Sequence, residues 1–292
     1  MQLTYTPLLQ KQRDLYDLPR GFERFREYLN ELVGPDGDME FPLGYLNPMG
    51  KDHVPARLDA YLKQDAEASA ARATREAAER LAFFGSERDI PDFRVSLVLA
   101  DDAAGGWTRR ESTEADHHYF QAGEQRRGWI TALLWTGDDP AHVRPDLETR
   151  AAIFRVATIL RMGRAPRTIG EIALVESLSG LFAGAPDAHE RGEPSASEDA
   201  TQFNAAIHER ARAALIQNAT NEDYPTWFAL WFGDQAARDL GYTPAGLPPG
   251  ALRTVAREIV SEYLDGRAVA PEDLLRETAE EPDTAARSIF RE

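Results

Sequence analysis

The 292-residue chain contains no cysteine, and that one absence removes disulfides, thiolate nucleophiles and sulfur-ligated zinc or iron–sulfur sites. A metal here would have to be held by His, Asp and Glu. Lysine is almost missing too: Lys11, Lys51 and Lys63 are the only lysines among 33 basic residues, a pattern of codon usage that carries no mechanism. No apolar run approaches the roughly 20 residues needed to cross a bilayer. The N-terminus, with Gln10, Lys11, Gln12 and Arg13 close behind Leu8 and Leu9, lacks the apolar core of a signal peptide. A cytoplasmic protein without membrane contact is therefore expected. Equally absent are the Gly-x-Gly-x-x-Gly and phosphate-loop patterns, His-Glu-x-x-His and Gly-x-Ser-x-Gly, and each absence lowers the odds of a common enzyme class.

Positive charge is in deficit. The formal net charge of -16 argues against nucleic acid as a partner, because binding a phosphate backbone needs a clustered excess of Lys and Arg. The deficit is uneven: residues 105–167 hold 10 basic and 8 acidic side chains, whereas both flanking stretches are acidic. A small anionic ligand is tolerated best in that middle third, although a solvated mixture of charges reads the same way. At 42% hydrophobic and 28% charged residues, the chain has enough apolar content to bury a core, so disorder and fibrous repeats are set aside.

What is present is organised around residues 93–135. The run Phe93 to Ala100 is apolar or small on both alternating faces, which suits a strand buried on two sides, and Gly128 to Trp135 has the same character. Helical spacing dominates elsewhere. Two helices are expected over residues 8–33, one long helix with a small-residue face over Pro55–Phe84, one from Pro145 to Met162, and one from Ile169 to Gly184 opened by a Thr168/Glu171 capping box. Four more are expected between Gln202 and Ala279, with a frayed or loosely docked end from Glu280 to Glu292. The fold class is thus α+β and mostly helical, with helices surrounding a small central sheet built from residues 93–135 and a helical C-terminal part. Residues 1–183 form the main domain, 184–199 a polar linker containing Pro186 and Pro194, and 200–292 a helical region that packs separately or as one body with the first.

The most site-like feature is Asp101-Asp102 at the carboxyl end of the first strand, where ligands of sheet-containing folds often sit. Gly105-Gly106 lets the chain turn there, but Asp-Asp followed by Gly-Gly is also what a sharp loop needs. A short helix from Glu114 to Gln121, capped by Ser112 or Thr113, would put Glu114 and His118 on one face, with His117 turned away by about 100°. Asp101, Asp102, Glu114 and His118 then form a candidate divalent-metal set, for metal-activated water acting on an ester, amide or phosphate. Without metal, Asp102 or Glu114 would be the base and His118 the acid, with Trp107, Arg109 and Arg110 as ligand contacts. Against this stands the bland reading of a surface His-His pair and a packing tryptophan. Lys51 and His53 are further candidates, on the unusually apolar connector Gly37–Asp52, which is expected to lie against the body.

Two functions remain open. One is a soluble helical protein that binds a protein partner or small ligand without chemistry, as a homo-oligomer through its C-terminal helices. The other is a metal-dependent or carboxylate/histidine hydrolase with its site at the loop after the first strand.

Overall fold

The computed structural model describes residues 1–33, 41–83, 91–103, 106–116, 128–184, 205–277 and 282–290. It is a mostly helical α+β structure with one small parallel sheet. Two compact units divide the chain, Met1–Val156 and Ala157–Glu292. No described helix is long and apolar enough to cross a membrane.

The first unit holds the sheet. Strands β1 (Leu3–Tyr5), β2 (Phe93–Ala100) and β3 (Trp129–Trp135) lie in that order, all parallel. Residues 3–5 pair with 93–95, and Arg94 to Ala100 pair with Trp129 to Trp135. In β2 every residue except Arg94 is buried, as its two apolar faces require. Strand β1 was not foreseen, because three residues are too few to show an alternating pattern. Since parallel neighbours cannot be joined by a tight turn, each pair is linked by a crossover. Helices α1 (Leu9–Leu15), α2 (Phe22–Leu32), α3 (His53–Lys63) and α4 (Ala66–Arg80) fill the first crossover. The second contains α5, residues 110–116.

Strand β1 is too short to cover the whole edge of β2. Gln12 of α1, completely buried, closes it further on: its amide nitrogen donates to the Leu99 carbonyl at 3.1 Å and its amide oxygen accepts from Leu99 N–H at 3.0 Å. One side chain thus stands in for a missing strand partner. Helix α4 presents Ala66, Ala70, Ala73 and Ala77, all buried, and packs on β1 and β2, which is the close approach its small-residue face implies. The single helix expected over 55–84 is two. It starts earlier, at His53, and breaks at Asp65, whose φ of 53° is left-handed; aspartate is one of the few side chains that enters that region readily. The connector from Leu46 to Pro48 is buried, so this apolar stretch does lie against the body.

The second unit is helical. Helix α6 (Pro145–Met162) contains the division between units, and α7 (Ile169–Ala183) is buried on nearly every side, with α8 (Ala205–Asn218), α10 (Ala251–Arg267), α11 (Pro271–Glu277) and α12 (Pro282–Ile289) against it. Helix α9 (Tyr224–Asp239) is two helical pieces joined at Gly233, where φ is 83° and an added Cβ would meet Pro249 N at 2.6 Å; only glycine satisfies both conditions. Trp227 and Trp231 stack with ring centroids 6.3 Å apart, so this pair of tryptophans is core. The C-terminal end was expected to be frayed or loosely docked; it is docked, α12 placing Ala286, Ile289 and Phe290 in the interior. Apart from Gly184, which caps α7 with a φ of 69°, the linker expected at 184–199 lies outside the described residues.

The start of α7 shows how a buried charge is kept. Thr168 Oγ1 accepts from Glu171 N–H at 3.2 Å, and the Glu171 carboxylate accepts from the N–H groups of Arg167 (2.7 Å) and Thr168 (3.4 Å) and from both terminal nitrogens of Arg164. Burial alone would raise the Glu171 pKa, but the Arg164 guanidinium and the two backbone donors outweigh it and hold the group below its ordinary value. A depressed carboxylate stabilises the fold above its unfolded pKa and loses that contribution as pH falls through the folded one. Glu171→Gln is therefore expected to cost about 2 kcal/mol at pH 7, and urea titrations should show wild type and variant converging below pH of about 4. An equal gap at both pH values would refute the assignment.

Candidate functional site

The carboxyl ends of β2 and β3 lie side by side, because Ala100 is in register with Trp135. The residues that follow therefore meet: Asp101-Asp102 after β2 and Thr136-Gly137-Asp138 after β3. Thr136 N–H extends the ladder by one bond to the Ala100 carbonyl, 3.0 Å. Position, and not sequence proximity, creates this cluster.

Asp101 is 1% exposed, and an unpaired carboxylate at such depth would be costly. Its oxygens are satisfied by three side chains from elsewhere in the chain. Oδ2 accepts from Asn47 Nδ2 at 2.6 Å, and Oδ1 lies 2.7 Å from His53 Nε2 and 3.0 Å from Thr136 Oγ1. The backbone carbonyl of Asp101 accepts from both N–H (3.0 Å) and Oγ1 (2.7 Å) of Thr108. Gly106 sits so close that an added Cβ would fall 2.5 Å from this carbonyl, which is the local reason for glycine in the loop. Asn47 is itself fixed, its side-chain oxygen accepting from Met49 N–H at 2.9 Å and its carbonyl accepting from the Tyr16 hydroxyl.

His53 opens α3, and its side chain is about one-third exposed. With Nε2 turned to a buried carboxylate, the proton belongs on Nε2, and Nδ1 is left as the acceptor. The result is a half-open imidazole held by a fully buried acid, with Asn47 and Thr136 fixing the acid in turn.

The second carboxylate has a different setting. Asp102 Oδ1 accepts from Gly137 N–H at 2.7 Å and lies 3.1 Å from Thr136 Oγ1. Thr136 Oγ1 also accepts the N–H groups of Asp102 (3.2 Å) and Ala103 (3.3 Å). Asp102 Oδ2 is 3.8 Å from Arg110 Nη1. Arg110 gathers the remaining acids: it holds Asp138 with two bonds of 2.6 and 3.1 Å and Glu114 with one of 3.1 Å, its guanidinium 5.2 Å from the Trp135 ring centre. Burial works against its charge, but Glu114 and Asp138 outweigh that and hold Arg110 protonated more firmly than an ordinary arginine.

Of the residues singled out from sequence, Asp101, Asp102, Glu114 and Arg110 are brought to these strand ends. Glu114 faces the Arg110 guanidinium one helical turn away. Trp107 is half exposed and Arg109 exposed, and His118 lies outside the described residues, as does His117. Helix α5 begins at Arg110, so Ser112 and Thr113 fall inside it and do not cap it. Among the described residues no group of three or more His, Asp or Glu side chains is placed to hold a metal. His53 was a named candidate. Asn47, Thr136 and Asp138 were missed, although Thr-Gly-Asp after the second apolar run mirrors Asp-Asp after the first and was the available signal.

Thr136 is 3% exposed and its hydroxyl serves two backbone donors and two carboxylates. Thr136→Val keeps the shape and removes all four contacts, so a loss of about 2–3 kcal/mol is expected by chemical denaturation. Thr136→Ser should recover most of it. A valine variant as stable as wild type would show that the hydroxyl does not hold these loops together.

Scans against protein-family models and searches of curated proteins and of solved structures return no match to this chain.

Proposed function

We propose that the chain is an acid–base hydrolase acting on a small molecule, with His53 as general base and Asp101 as the group that orients it. The observation that carries this reading is the 2.7 Å contact between His53 Nε2 and the buried Asp101 carboxylate at the carboxyl ends of parallel strands, where α/β folds commonly bind ligands. Asp101 would fix the Nε2–H tautomer and stabilise the imidazolium that forms. His53 Nδ1 takes a proton from water as the water oxygen bonds to an acyl or phosphoryl centre, and that proton leaves later with the departing group. Asn47 and Thr136 act as positioning residues, through Asp101. A divalent metal at Asp101, Asp102, Glu114 and His118 is the metal-dependent form of the same hypothesis, and its three acids here bind Thr136, Gly137 and Arg110.

The reading as a partner-binding helical protein without chemistry draws on a separate observation. Phe22, Leu29 and Val33 are 79%, 42% and 47% exposed, a run of apolar side chains along and just past α2 that offers no stability as it stands. The strongly acidic charge keeps nucleic acid out of both readings.

The test is a panel of chromogenic esters, amides and phosphate esters with wild type and His53→Gln. Loss of the general base should lower kcat by roughly 10²–10⁴-fold when assayed at a temperature where circular dichroism shows the variant folded, because removing a partner of the buried Asp101 carboxylate also lowers the melting temperature. Turnover that survives His53→Gln, or no turnover by wild type on any substrate, would remove the hydrolase reading.

A further inference from the structure

We propose that the cavity next to His53 is a phosphate site, which makes the substrate of the reaction proposed above a small phosphorylated molecule; its chemistry rests on that reading, its binding does not. The cavity, of about 290 Å³, is lined by Tyr16, Arg20, Arg24, Lys51 and Asp52 among others. It is linked to the Asp101 network in two ways, one along the chain and one by hydrogen bonds. Lys51 and Asp52 directly precede His53 in the chain, and the Tyr16 hydroxyl donates to the carbonyl of Asn47, whose side chain donates to Asp101.

The charges of this cavity are not balanced. Arg24 is only 7% exposed, yet its guanidinium bonds carbonyls alone: Nε and Nη2 donate to Leu18 O at 2.9 and 2.5 Å, and Nη2 reaches Tyr16 O at 3.5 Å. The Tyr16 ring lies 4.7 Å below it. Arg20 spends its Nε on the Met49 carbonyl at 3.0 Å. Neither arginine nor Lys51 has a carboxylate within ion-pair distance among the described residues. Buried charges in folded proteins are commonly paired, and two such pairs stand elsewhere in this chain: Arg110 with Asp138 and Glu171 with Arg164.

One buried cation, Arg24, and two exposed ones, Arg20 and Lys51, stand against the single carboxylate of Asp52 inside a chain of net charge -16, which favours an anion of more than one charge. A monocarboxylate would leave one cation uncompensated. A phosphate dianion matches the charge and can accept from the guanidinium nitrogens that these carbonyl bonds do not use, Arg24 Nη1 and the two terminal nitrogens of Arg20. The volume sets the class of molecule at the small end of ligand pockets.

The experiment is titration of inorganic phosphate at low ionic strength, followed by calorimetry and by ³¹P line broadening, on wild type, His53→Gln, Arg20→Ala and Lys51→Ala. Arg20 and Lys51 are exposed, so their variants should fold, which circular dichroism checks. Saturable binding at roughly millimolar concentration or tighter is expected in wild type and His53→Gln, weakened about tenfold by either of the other two substitutions. Acetate should compete poorly. Absence of saturation, binding indifferent to both Arg20→Ala and Lys51→Ala, or equal competition by acetate would overturn the assignment. Phosphate binding without turnover of any ester keeps this site and removes the hydrolase; turnover without phosphate binding does the reverse.

Discussion

The constraint on which the first unit depends is the need to keep one buried carboxylate, Asp101, fully hydrogen-bonded. Its partners come from the connector before α3 (Asn47), from the first turn of α3 (His53) and from the end of β3 (Thr136). No two of these are neighbours in sequence, so all three segments must be in place at once for the charge to be tolerated. A cluster of this kind specifies an arrangement more sharply than apolar packing does, since a small shift would leave a carboxylate oxygen without a donor. It also explains why the connector at Leu46–Pro48 is pressed against the sheet: it delivers Asn47.

The parallel sheet sets the conditions for that cluster. Parallel register puts the ends of β2 and β3 at the same level, so the loops leaving both strands open on one side. Antiparallel pairing would have put Asp101 beside the start of β3 instead of its end. The sheet itself is sustained by very little: β1 pairs with only the first residues of β2, and the amide of Gln12 satisfies Leu99 where no strand continues. Helix α1 is in turn anchored by Glu67 of α4, whose carboxylate accepts Leu9 N–H at 2.9 Å. Burial raises the pKa of Glu67 despite its backbone donors, so a helix of one crossover is tied to its neighbour by a carboxylate whose charge is costly to keep.

Much of this was legible in the chain, and the illegible part has a physical pattern. Strands β2 and β3 showed themselves because burial on both faces leaves an uninterrupted apolar run, and the Thr168/Glu171 cap showed itself because its geometry is local. Asp101 and Asp102 were marked by standing at a strand end. What escaped depends on distance in space. Asn47 and Thr136 are ordinary loop residues until the sheet register brings them to Asp101, and a three-residue strand such as β1 is below the length at which a pattern can form. The break at Asp65 was hidden because flanking Ala- and Leu-rich stripes continue through it.

The same distinction separates the two histidine candidates, His118 and His53. His118 drew attention by its spacing from Glu114, a local criterion, but the helix places Glu114 against Arg110, whose guanidinium already neutralises Glu114 and Asp138. A second cation would gain little beside acids so compensated. Asp101 is the carboxylate at these strand ends without a guanidinium partner among the described residues. The two acids that follow β2 have thus been given different settings by their neighbours: Asp102 near the Arg110 guanidinium, Asp101 against the His53 imidazole, Asn47 and Thr136.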